Sequence, residues 1–264
     1  MQTTRALLAE KSGRVYPSES TTERFRAARM VIITNEIMCT GKTSAMEALA
    51  QKGTYAKVPS WVTREMRSGE TQGDPYIFVS EDEMVAAFLE GLLIEMNANG
   101  ANMDRFYATH ILPIEAAVNS GKMPIKDVDT KGFINIRSID PNSRAIVLAP
   151  DYLTVDGLQD AWTLRIYGRE GRPEAWPENK VQDMIGRFAV AIEDVELRLP
   201  AYFDDPNILF VMNQDLGSLA ETVDAWIRRE LSASEEDQVR RLAIESLMWT
   251  AERAREHKAA LEAI

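Results

Sequence analysis

The sequence has one cysteine, two histidines and no long hydrophobic run. Cys39 alone cannot form an intrachain disulfide, which suits a reducing compartment. No apolar stretch approaches the ~20 residues that a membrane-spanning helix needs, and the polar N-terminus lacks the apolar core of a signal peptide. His110 and His257 have no metal-ligand spacing. These absences predict a cytoplasmic protein that neither spans a membrane nor depends on disulfides.

The chain also has no excess of positive charge. Its 30 lysine and arginine residues face 41 aspartate and glutamate residues, which gives a net charge of −11. Proteins that bind nucleic acid usually gain affinity from excess positive charge that neutralises backbone phosphates. The balance therefore argues against duplex nucleic acid or an anionic membrane as the main partner, although a local basic patch would be compatible with it.

Short apolar runs alternate with helical patterns along most of the 264 residues. Met30 to Thr34 has the composition of a fully buried strand, and the Gly41-Lys42-Thr43 sequence after it opens a predicted helix to about Lys52. This alternation predicts an α/β fold, with a mostly parallel sheet and helices on both faces. The further predicted strands are 123–128, 144–149 and 207–212, and the further helices are 110–121, 155–167, 180–198 and 216–230.

Residues 61–108 interrupt the alternation. They carry short strand-like pieces at 76–79 and 92–96 around a helix that begins with Ser80 and Glu83. Those two residues are spaced as a capping box, in which each side chain satisfies a backbone donor at the start of the helix. The segment is therefore predicted to be a small inserted α+β subdomain.

Two segments have side chains suited to holding phosphate. Gly41-Lys42-Thr43 stands between a buried strand and a helix, where backbone N–H groups, a lysine and a hydroxyl can bind a polyphosphate and its Mg²⁺. In residues 60–79, two arginines, Arg64 and Arg67, and the hydroxyl of Tyr76 can grip a smaller phosphate monoester. Taken singly, these side chains could also be a solvated charged turn. Together, two phosphate sites indicate phosphoryl transfer between two nucleotides.

Glu36 departs from the usual phosphate-binding loop, because it occupies the position of that pattern's first glycine. A carboxylate aimed at a triphosphate is repelled, and a side chain resists a positive φ. The loop can still work if Glu36 points to solvent or pairs with an arginine; a non-catalytic loop is the alternative. Cys39 lies in the same loop, where exposure beside Lys42 at a helix start would lower the pKa of its thiol.

In their order along the chain, these residues resemble the guanylate kinase family of phosphate-loop nucleoside monophosphate kinases. Residues 63–79 match the family's GMP-phosphate motif, Thr-Arg-x-x-Arg-x-Gly-Glu-x-x-Gly-x-x-Tyr-x-Phe-Val, position by position. Residues 106–109, Phe-Tyr-Ala-Thr, stand for its Tyr-Tyr-Gly-Ser/Thr, with about three extra residues near 100–105. Residues 127–132 carry its Asp-x-Asp-x-x-Gly.

The resemblance covers about residues 29–231. It implies a phosphate-loop kinase fold in which 61–108 binds GMP and 165–187 forms a lid. Residues 1–28 are polar and are interpreted as an extension or mobile arm, and residues 232–264 as a helical extension. Ser234 and Asp237 predict a capping box for the last helix, and its apolar stripe is predicted to be Val239, Leu242, Leu247, Met248 and Ala251.

The family's acceptor residues carry over to this sequence one by one. Arg64 and Arg67 would hold the phosphate of GMP, with hydroxyl groups from Tyr76 and Tyr107. Glu95 would accept hydrogen bonds from guanine N1–H and the exocyclic amine, a pattern that is wrong for adenine. The residues that would complete the base pocket are Ser60, Thr109 and Asp129.

The resemblance also implies ATP as the donor and Mg²⁺ as the cofactor. Thr43 and Asp127 would lie near the metal, and lid arginines would neutralise the charge of the transferring phosphoryl group. Asn213 falls where the family has an asparagine near the adenine. The donor residues are Thr40, Gly41, Lys42, Thr43 and Ser44, and the lid arginines are Arg165, Arg169 and Arg187, with Arg172 as an additional candidate.

The predicted function is phosphorylation of GMP or dGMP by ATP, with nucleotides as the partners. One alternative is a binding module that has lost its donor site, which Glu36 favours and the retained acceptor residues oppose. The other is a kinase for a modified purine nucleotide, because the extra residues near 100–105 adjoin the predicted base pocket. The sequence leaves open the choice between ribose and deoxyribose and whether the chain forms a homo-oligomer.

Overall fold

The computed structural model describes residues 3–13, 17–34, 37–99, 105–151, 154–155 and 159–263. Its α-helices are α1 (Thr4–Lys11), α2 (Glu19–Ala28), α3 (Lys42–Gln51), α4 (Glu81–Leu89), α5 (Ile111–Asn119), α6 (Thr130–Ile139), α7 (Ala161–Glu170), α8 (Glu178–Glu193), α9 (Leu216–Arg228) and α10 (Ala233–Glu262). Its strands are β1 (Val31–Thr34), β2 (Tyr55–Lys57), β3 (Ser60–Val62), β4 (Thr71–Gln72), β5 (Pro75–Phe78), β6 (Leu93–Asn99), β7 (Arg105–His110), β8 (Met123–Val128), β9 (Arg144–Pro150), β10 (Thr154–Val155), β11 (Gln159–Asp160) and β12 (Ile208–Asn213).

The chain divides into two compact units. The first unit is Met1–Ile32 with Leu49–Arg144, and the second is Ile33–Ala48 with Ala145–Ile264. Strand β1 is divided between them, and the strand order is β1-β8-β2 in the first unit and β12-β9-β1 in the second. The pairs β2–β8 and β9–β12 are parallel. Strand β1 is buried along its length, as expected where helices cover both faces. The predicted α/β fold is confirmed.

A second sheet of the first unit has the strand order β4-β5-β3-β7-β6. Strand β3 is parallel to β5 and antiparallel to β7, which in turn is antiparallel to β6. Helix α4 packs on this sheet through Met84, and the capping box of Ser80 and Glu83 starts the helix as predicted. The sheet is mixed and its helix follows β5 directly, which is the α+β character expected for residues 61–108.

Helix α1 of the N-terminal segment packs within the first unit. Leu8 of α1 is 1% exposed and lies in the same apolar core as Met84. The side chain of Arg5 forms an ion pair with Glu81 in the first turn of α4. Ser12 Oγ accepts a hydrogen bond of 2.6 Å from the N–H of Ala98 in β6. These contacts attach the segment to the α+β sheet, while the predicted domain boundaries at 28 and 231 stay predictions.

Helix α10 packs against α8 and β12 in the second unit. The predicted apolar stripe is correct at Leu247 and Ala251 and wrong at Leu242 and Met248, which are 39% and 46% exposed. The buried residues of α10 are Ala243, Ser246, Leu247, Thr250, Ala251, Ala254 and Leu261. Across the described ranges no helix, α10 included, is long and apolar enough to cross a lipid bilayer.

The start of α10 differs from the prediction. Ser232 rather than Ser234 is the N-cap, and the Glu235 carboxylate accepts the N–H of Ser232 at 2.8 Å. The predicted pair of Ser234 and Asp237 is therefore wrong, because a helix that begins at Ala233 places Ser234 inside its first turn. Both serines have an acidic residue three positions later, so the local pattern alone does not choose between them.

Two other helices depart from the predicted pattern. The helix predicted for 155–167 begins only at Ala161, because β10 and β11 pair in antiparallel fashion just before it. Helix α6 was not predicted. It begins after Asp129, whose side chain caps it by accepting the N–H of Gly132 at 2.6 Å. A short polar side chain that follows a strand is a signal for a helix start, and this one was available in the sequence.

Candidate active site

A buried carboxylate lies where β6 and β7 pair in the first unit. Glu95 is 5% exposed, and its register partner Thr109 donates a hydrogen bond of 2.6 Å to Oε1. The Asn97 amide donates to Glu95 Oε2 at 3.1 Å and to Asp129 Oδ1 at 3.3 Å. A carboxylate has about four acceptor positions, so Glu95 keeps capacity for a ligand. Three residues predicted for one pocket are thus brought together.

Burial raises the pKa of Glu95 to about 7, and the negative charge of Asp129 adds to this effect. The hydrogen bond from Thr109 and the charge of Lys126 act in the opposite direction. A ligand that donates N–H groups to Glu95 would stabilise the ionised carboxylate, which burial and the charge of Asp129 disfavour. The pocket therefore suits a ligand edge that carries hydrogen-bond donors.

Gly132 permits the close approach of two carboxylates to the start of α6. A Cβ atom at this position would lie 3.1 Å from Asp129 Oδ1 and 3.3 Å from Glu95 Oε2. Both separations are tighter than those of most Cβ contacts in proteins. A side chain at residue 132 would therefore push the carboxylate of Glu95 or Asp129 out of place, which explains glycine at this position of the Asp-x-Asp-x-x-Gly sequence.

Arg64 is the centre of a second cluster in the first unit. Its side chain is 8% exposed and forms two hydrogen bonds with Glu70, Nη1 to Oε2 at 2.6 Å and Nη2 to Oε1 at 2.5 Å. Nε donates to the Tyr107 hydroxyl at 3.3 Å, and the guanidinium lies 4.9 Å from the centre of the Tyr76 ring. The hydrogen bonds from Arg64 lower the pKa of Glu70 to about 2. A planar cation held rigidly in this way is suited to binding phosphate.

Arg67 and Tyr76 lie next to this cluster, the first with an exposed side chain and the second with a partly buried one. The Arg67 side chain is exposed, whereas its backbone N–H donates to Glu70 Oε2 at 2.8 Å. The Tyr76 ring lies 5.9 Å from that of Tyr107 in an edge-on arrangement. Burial raises the pKa of Tyr76, and the charge of Asp127 raises it further, so the hydroxyl remains a hydrogen-bond donor at neutral pH. Two cations and two hydroxyl groups are thus available for one phosphate.

The predicted donor residues lie in the second unit, where residues 37–41 lead into α3. Gly41 has a φ of +87°, and its carbonyl oxygen accepts the N–H of Ala45 at 2.9 Å, so the helix begins at Lys42. Asn213, predicted to lie near an adenine, donates through Nδ2 to the carbonyl oxygen of Thr40 at 2.7 Å. The first turn of α3 contains Thr43 and Ser44, and a helix start presents backbone N–H groups to an anion.

Cys39 and Glu36 are the unusual residues of this loop. Cys39 has a φ of +61°, and burial raises the pKa of its half-buried thiol against the lowering effect of Arg169. The lowered pKa expected for an exposed thiol is therefore not realised. Glu36 lies outside the described residues, and its effect on phosphate binding stays a prediction.

Glu170 holds two of the predicted lid arginines in the second unit. Its Oε1 lies 3.3 Å from Arg169 Nε and 3.6 Å from Arg187 Nη1, and its Oε2 pairs with Lys180. Burial acts to raise the pKa of Glu170, but Lys180 and the two arginines outweigh it and lower the pKa. Arg165 is held separately, with Nη2 donating to the Asn213 carbonyl oxygen at 3.4 Å. The side chains of Arg169 and Arg187 are 62% and 40% exposed, so both guanidinium groups keep surface that a polyphosphate can contact. Arg187 also pairs with Asp183 at 2.9 Å.

The two residues predicted for Mg²⁺ offer oxygen ligands of the kind this ion prefers. Thr43 places a hydroxyl in the first turn of α3, and Asp127 places a half-buried carboxylate on β8. Mg²⁺ is usually held by one or two protein oxygens together with water and substrate phosphates. Thr43 belongs to the second unit and Asp127 to the first, and each side chain by itself is an oxygen ligand of the kind that Mg²⁺ accepts.

Asn97 and Lys126 are neighbours of Glu95 that the sequence analysis missed. Asn97 follows Glu95 by two residues in a strand, so the period of two places both side chains on one face of β6. Lys126 is 0% exposed, and its Nζ donates to Ser60 Oγ at 2.5 Å and to the Val58 carbonyl oxygen at 3.4 Å. A lysine in a strand whose other residues, apart from Asp127, are apolar was the signal that could have identified it.

An apolar cavity of about 250 Å³ lies in the second unit and is lined by residues of α7, α8 and α10. His257 lines it, stacks on Phe188 at 5.3 Å and lies 2.9 Å from Thr163 Oγ1 through Nε2. No predicted site residue that the structure describes is in its lining. The predicted site residues that the structure describes therefore lie outside this cavity. His257 packs against Phe188 inside it.

Comparison with known proteins finds relatives that are described as guanylate kinases. A family model described as guanylate kinase matches residues 28–165, just over half of the chain. A guanylate kinase of Bdellovibrio bacteriovorus is 27% identical over 185 residues, which are 70% of this chain and 90% of that protein. One of Hahella chejuensis is 31% identical over 114 residues, 43% of this chain and 53% of that protein. A solved guanylate kinase from Anaplasma phagocytophilum matches 78% of this chain and 88% of its own, at 17% identity and a TM-score of 0.47.

Proposed function

The chain belongs to the guanylate kinase family, and on that basis we propose that it transfers the γ-phosphoryl group of ATP to GMP or dGMP, giving GDP or dGDP. The observation that carries the proposal is the buried Glu95, with Thr109, Asn97 and Asp129 around it. Guanine offers N1–H and an exocyclic amine as adjacent donors, and both match a carboxylate. Adenine offers an unprotonated N1 at the same place, which a carboxylate repels.

The acceptor phosphate is proposed to bind Arg64 and Arg67, with the hydroxyl groups of Tyr76 and Tyr107. The support is the rigid placement of the Arg64 guanidinium, which Glu70 and Tyr107 fix from two directions. Base and phosphate clusters lie on the same sheet, since Glu95 and Tyr107 belong to paired strands β6 and β7. A nucleoside monophosphate could therefore engage both clusters.

The donor phosphates are proposed to bind the loop and helix start from Thr40 to Ser44, with Lys42 at the β and γ phosphates. Phosphoryl transfer depends on positioning and on neutralising spread negative charge, which Lys42 and the arginines Arg165, Arg169 and Arg187 would supply. The side chains of Arg169 and Arg187 already lie close to an anion, the carboxylate of Glu170. The phosphate oxygens would bind the same two guanidinium groups.

Mg²⁺ is proposed to be held by Thr43 and Asp127 together with donor phosphates. When bound, the ion supplies charge neutralisation and orientation of the polyphosphate. The proposed partners are small nucleotides rather than nucleic acid, which the net charge of −11 supports. A cytoplasmic location is proposed on the basis of the single cysteine.

The proposal is tested by coupled ADP release with ATP and Mg²⁺, offering GMP, dGMP, AMP, dTMP and CMP separately. Release with GMP or dGMP that disappears in Lys42→Ala is the expected result. Silence across the panel, with GMP still binding in calorimetry, would instead identify a binding module without a working donor site. Release with none of these acceptors but with a modified purine nucleotide would identify the other alternative. The relatives are described as guanylate kinases, so neither alternative is favoured.

The titration of Glu95 predicts how GMP use depends on pH. Its pKa of about 7 means that the carboxyl is protonated below that pH and ionised above it. Only the ionised form accepts from both guanine donors, so kcat/KM for GMP is expected to rise between about pH 6 and pH 8. Steady-state kinetics across this range, at saturating ATP, measures the step.

Two variants separate Glu95 from the other groups that titrate nearby. Glu95→Gln is expected to lower kcat/KM for GMP about 10- to 100-fold and to remove the step near pH 7. The phosphate of GMP itself titrates near pH 6 and would leave its own step in this variant. Glu90→Gln, at an exposed position after α4, is the matched control and should keep the wild-type profile. An unchanged step in Glu95→Gln would contradict the prediction.

A further inference from the structure

Lys126 is a buried charged side chain for which no predicted role accounts. It is 0% exposed on β8, and lysine is almost never fully buried unless it is paired. The partners of its Nζ are the neutral oxygens of Ser60 and Val58. Burial lowers the pKa of Lys126, and the carboxylates of Asp127 and Glu95 act in the opposite direction. An apolar residue would fill this strand position at lower cost, so the hydrogen bond to Ser60 calls for an explanation.

An ammonium group has three N–H donors and no acceptor, whereas a serine hydroxyl can donate or accept. When Lys126 donates to Ser60 Oγ, the hydroxyl accepts on that side and its proton must point elsewhere. Ser60 lies on β3, between β5 and β7 in the sheet, and its register partner on β5 is Tyr76. A ligand bound beside Ser60 would therefore meet a hydroxyl that donates, rather than one that can rotate to suit either partner.

Resting on the proposed function, we propose that Lys126 is a positioning residue that sets base specificity by committing Ser60 to donate to the 6-oxo group of the acceptor purine. Guanine carries an acceptor at position 6, whereas adenine and 2,6-diaminopurine carry an amine that donates. Two donors would meet if a 6-aminopurine occupied the pocket, and neither would be satisfied. Glu95 reads the N1 and 2-amino positions, and Lys126 acts through Ser60 on position 6.

The test compares GMP with two analogues of the base. The 2,6-diaminopurine ribonucleoside monophosphate has an amine in place of the 6-oxo group and an unprotonated N1, so Ser60 and Glu95 both contribute to its rejection by the wild type, and only the Ser60 part is expected to depend on Lys126. IMP keeps the 6-oxo group and N1–H and lacks the 2-amino group. In Lys126→Met, which keeps a long unbranched side chain, the preference for GMP over the diaminopurine nucleotide is expected to fall about 10- to 100-fold. The loss should come mainly from KM. Because the charge of Lys126 lowers the pKa of Glu95, both preferences are measured up to about pH 8.5, and the preference for GMP over IMP should be within about 3-fold of the wild-type value once Glu95 is ionised.

The matched control is Lys122→Met, the same change at an exposed lysine just before β8. It should leave both preferences unchanged. If Lys126→Met does not fold, Lys126→Gln carries the test. Its amide can still donate to the Val58 carbonyl oxygen, but it no longer commits Ser60 to accepting. Loss of the 6-oxo preference in that variant supports the proposal equally.

Two negative outcomes have different meanings. A folded Lys126 variant that discriminates against the diaminopurine nucleotide as strongly as the wild type would overturn the role of Lys126 while leaving the kinase intact. A loss of both preferences together would show that Lys126 only supports the pocket, and would also overturn the proposal. Wild-type protein that phosphorylates neither GMP nor dGMP would refute the proposed function itself.

Discussion

Replacement of Arg64 by alanine is expected to lower kcat/KM for GMP by about 100- to 1,000-fold, because it removes a buried cation from a charged cluster. The guanidinium is 8% exposed and is fixed by Glu70 and Tyr107, so little ordering is required when a phosphate binds. Its loss also leaves the Glu70 carboxylate without its main partner. With a pKa of about 2 in the intact cluster, Glu70 is ionised at working pH and would then repel the acceptor phosphate.

The expected loss of activity in Arg64→Ala has two causes, the missing phosphate ligand and the repulsion by Glu70, and a double variant can separate them. Arg64→Ala combined with Glu70→Gln should recover part of the lost activity, since the second change removes the repulsion while the phosphate ligand remains absent. Arg5→Ala is the control, because Arg5 forms an ion pair with Glu81 on the same unit but is 61% exposed. Its activity should equal that of the wild type. Arg64→Ala activity within about 3-fold of the wild type would contradict a phosphate role.

The order of the acceptor residues could be predicted from the sequence because β3, β5, β6 and β7 follow one another closely. The strand pattern places Glu95 in the strand predicted at 92–96, but no strand was predicted at Thr109, so the register that pairs the two residues was not foreseen. Their convergence with Asp129 required the resemblance to a family, since Asp129 is distant in the chain. The α/β class followed from the alternation of apolar runs and helices, which depends on local sequence alone.

Features that depend on long-range contacts were out of reach of the sequence. Helix α1 looks polar, and its single fully buried residue, Leu8, gives no periodicity that would mark a packed face. The competing caps Ser232 and Ser234 have equal local patterns, and the packing of the helix decides between them. Lys126 was read as part of an apolar strand, because its partner Ser60 lies 66 residues earlier in the chain. Tertiary contacts supplied each missing piece of information.

The second change with a large expected effect is Gly41→Ala in the phosphate loop, which adds one methyl group. Gly41→Ala would place a Cβ atom 2.3 Å from Asn213 Nδ2, and the φ of +87° adds backbone strain. The contact is rigid because Asn213 is 4% exposed and donates to the Thr40 carbonyl oxygen at 2.7 Å. Relief of the clash requires breaking that hydrogen bond and shifting the start of α3. A shift of about 1 Å in the proposed donor site should lower kcat/KM for ATP about 100-fold.

Gly53→Ala distinguishes the clash from the strain of a positive φ. Gly53 has a similar φ of +79°, and no heavy atom lies within 4 Å of the point that a Cβ atom would occupy there. Both variants should lose about 1 to 2 kcal/mol of stability from the backbone alone, and Gly41→Ala should lose a further 1 to 3 kcal/mol, roughly, from the clash. Thermal unfolding and ATP kinetics measure the two effects. Equal behaviour of the two variants would show that Asn213 does not hold the loop in place. A larger loss in Gly41→Ala, for ATP but not for GMP binding, would identify residues 40–44 as the donor site.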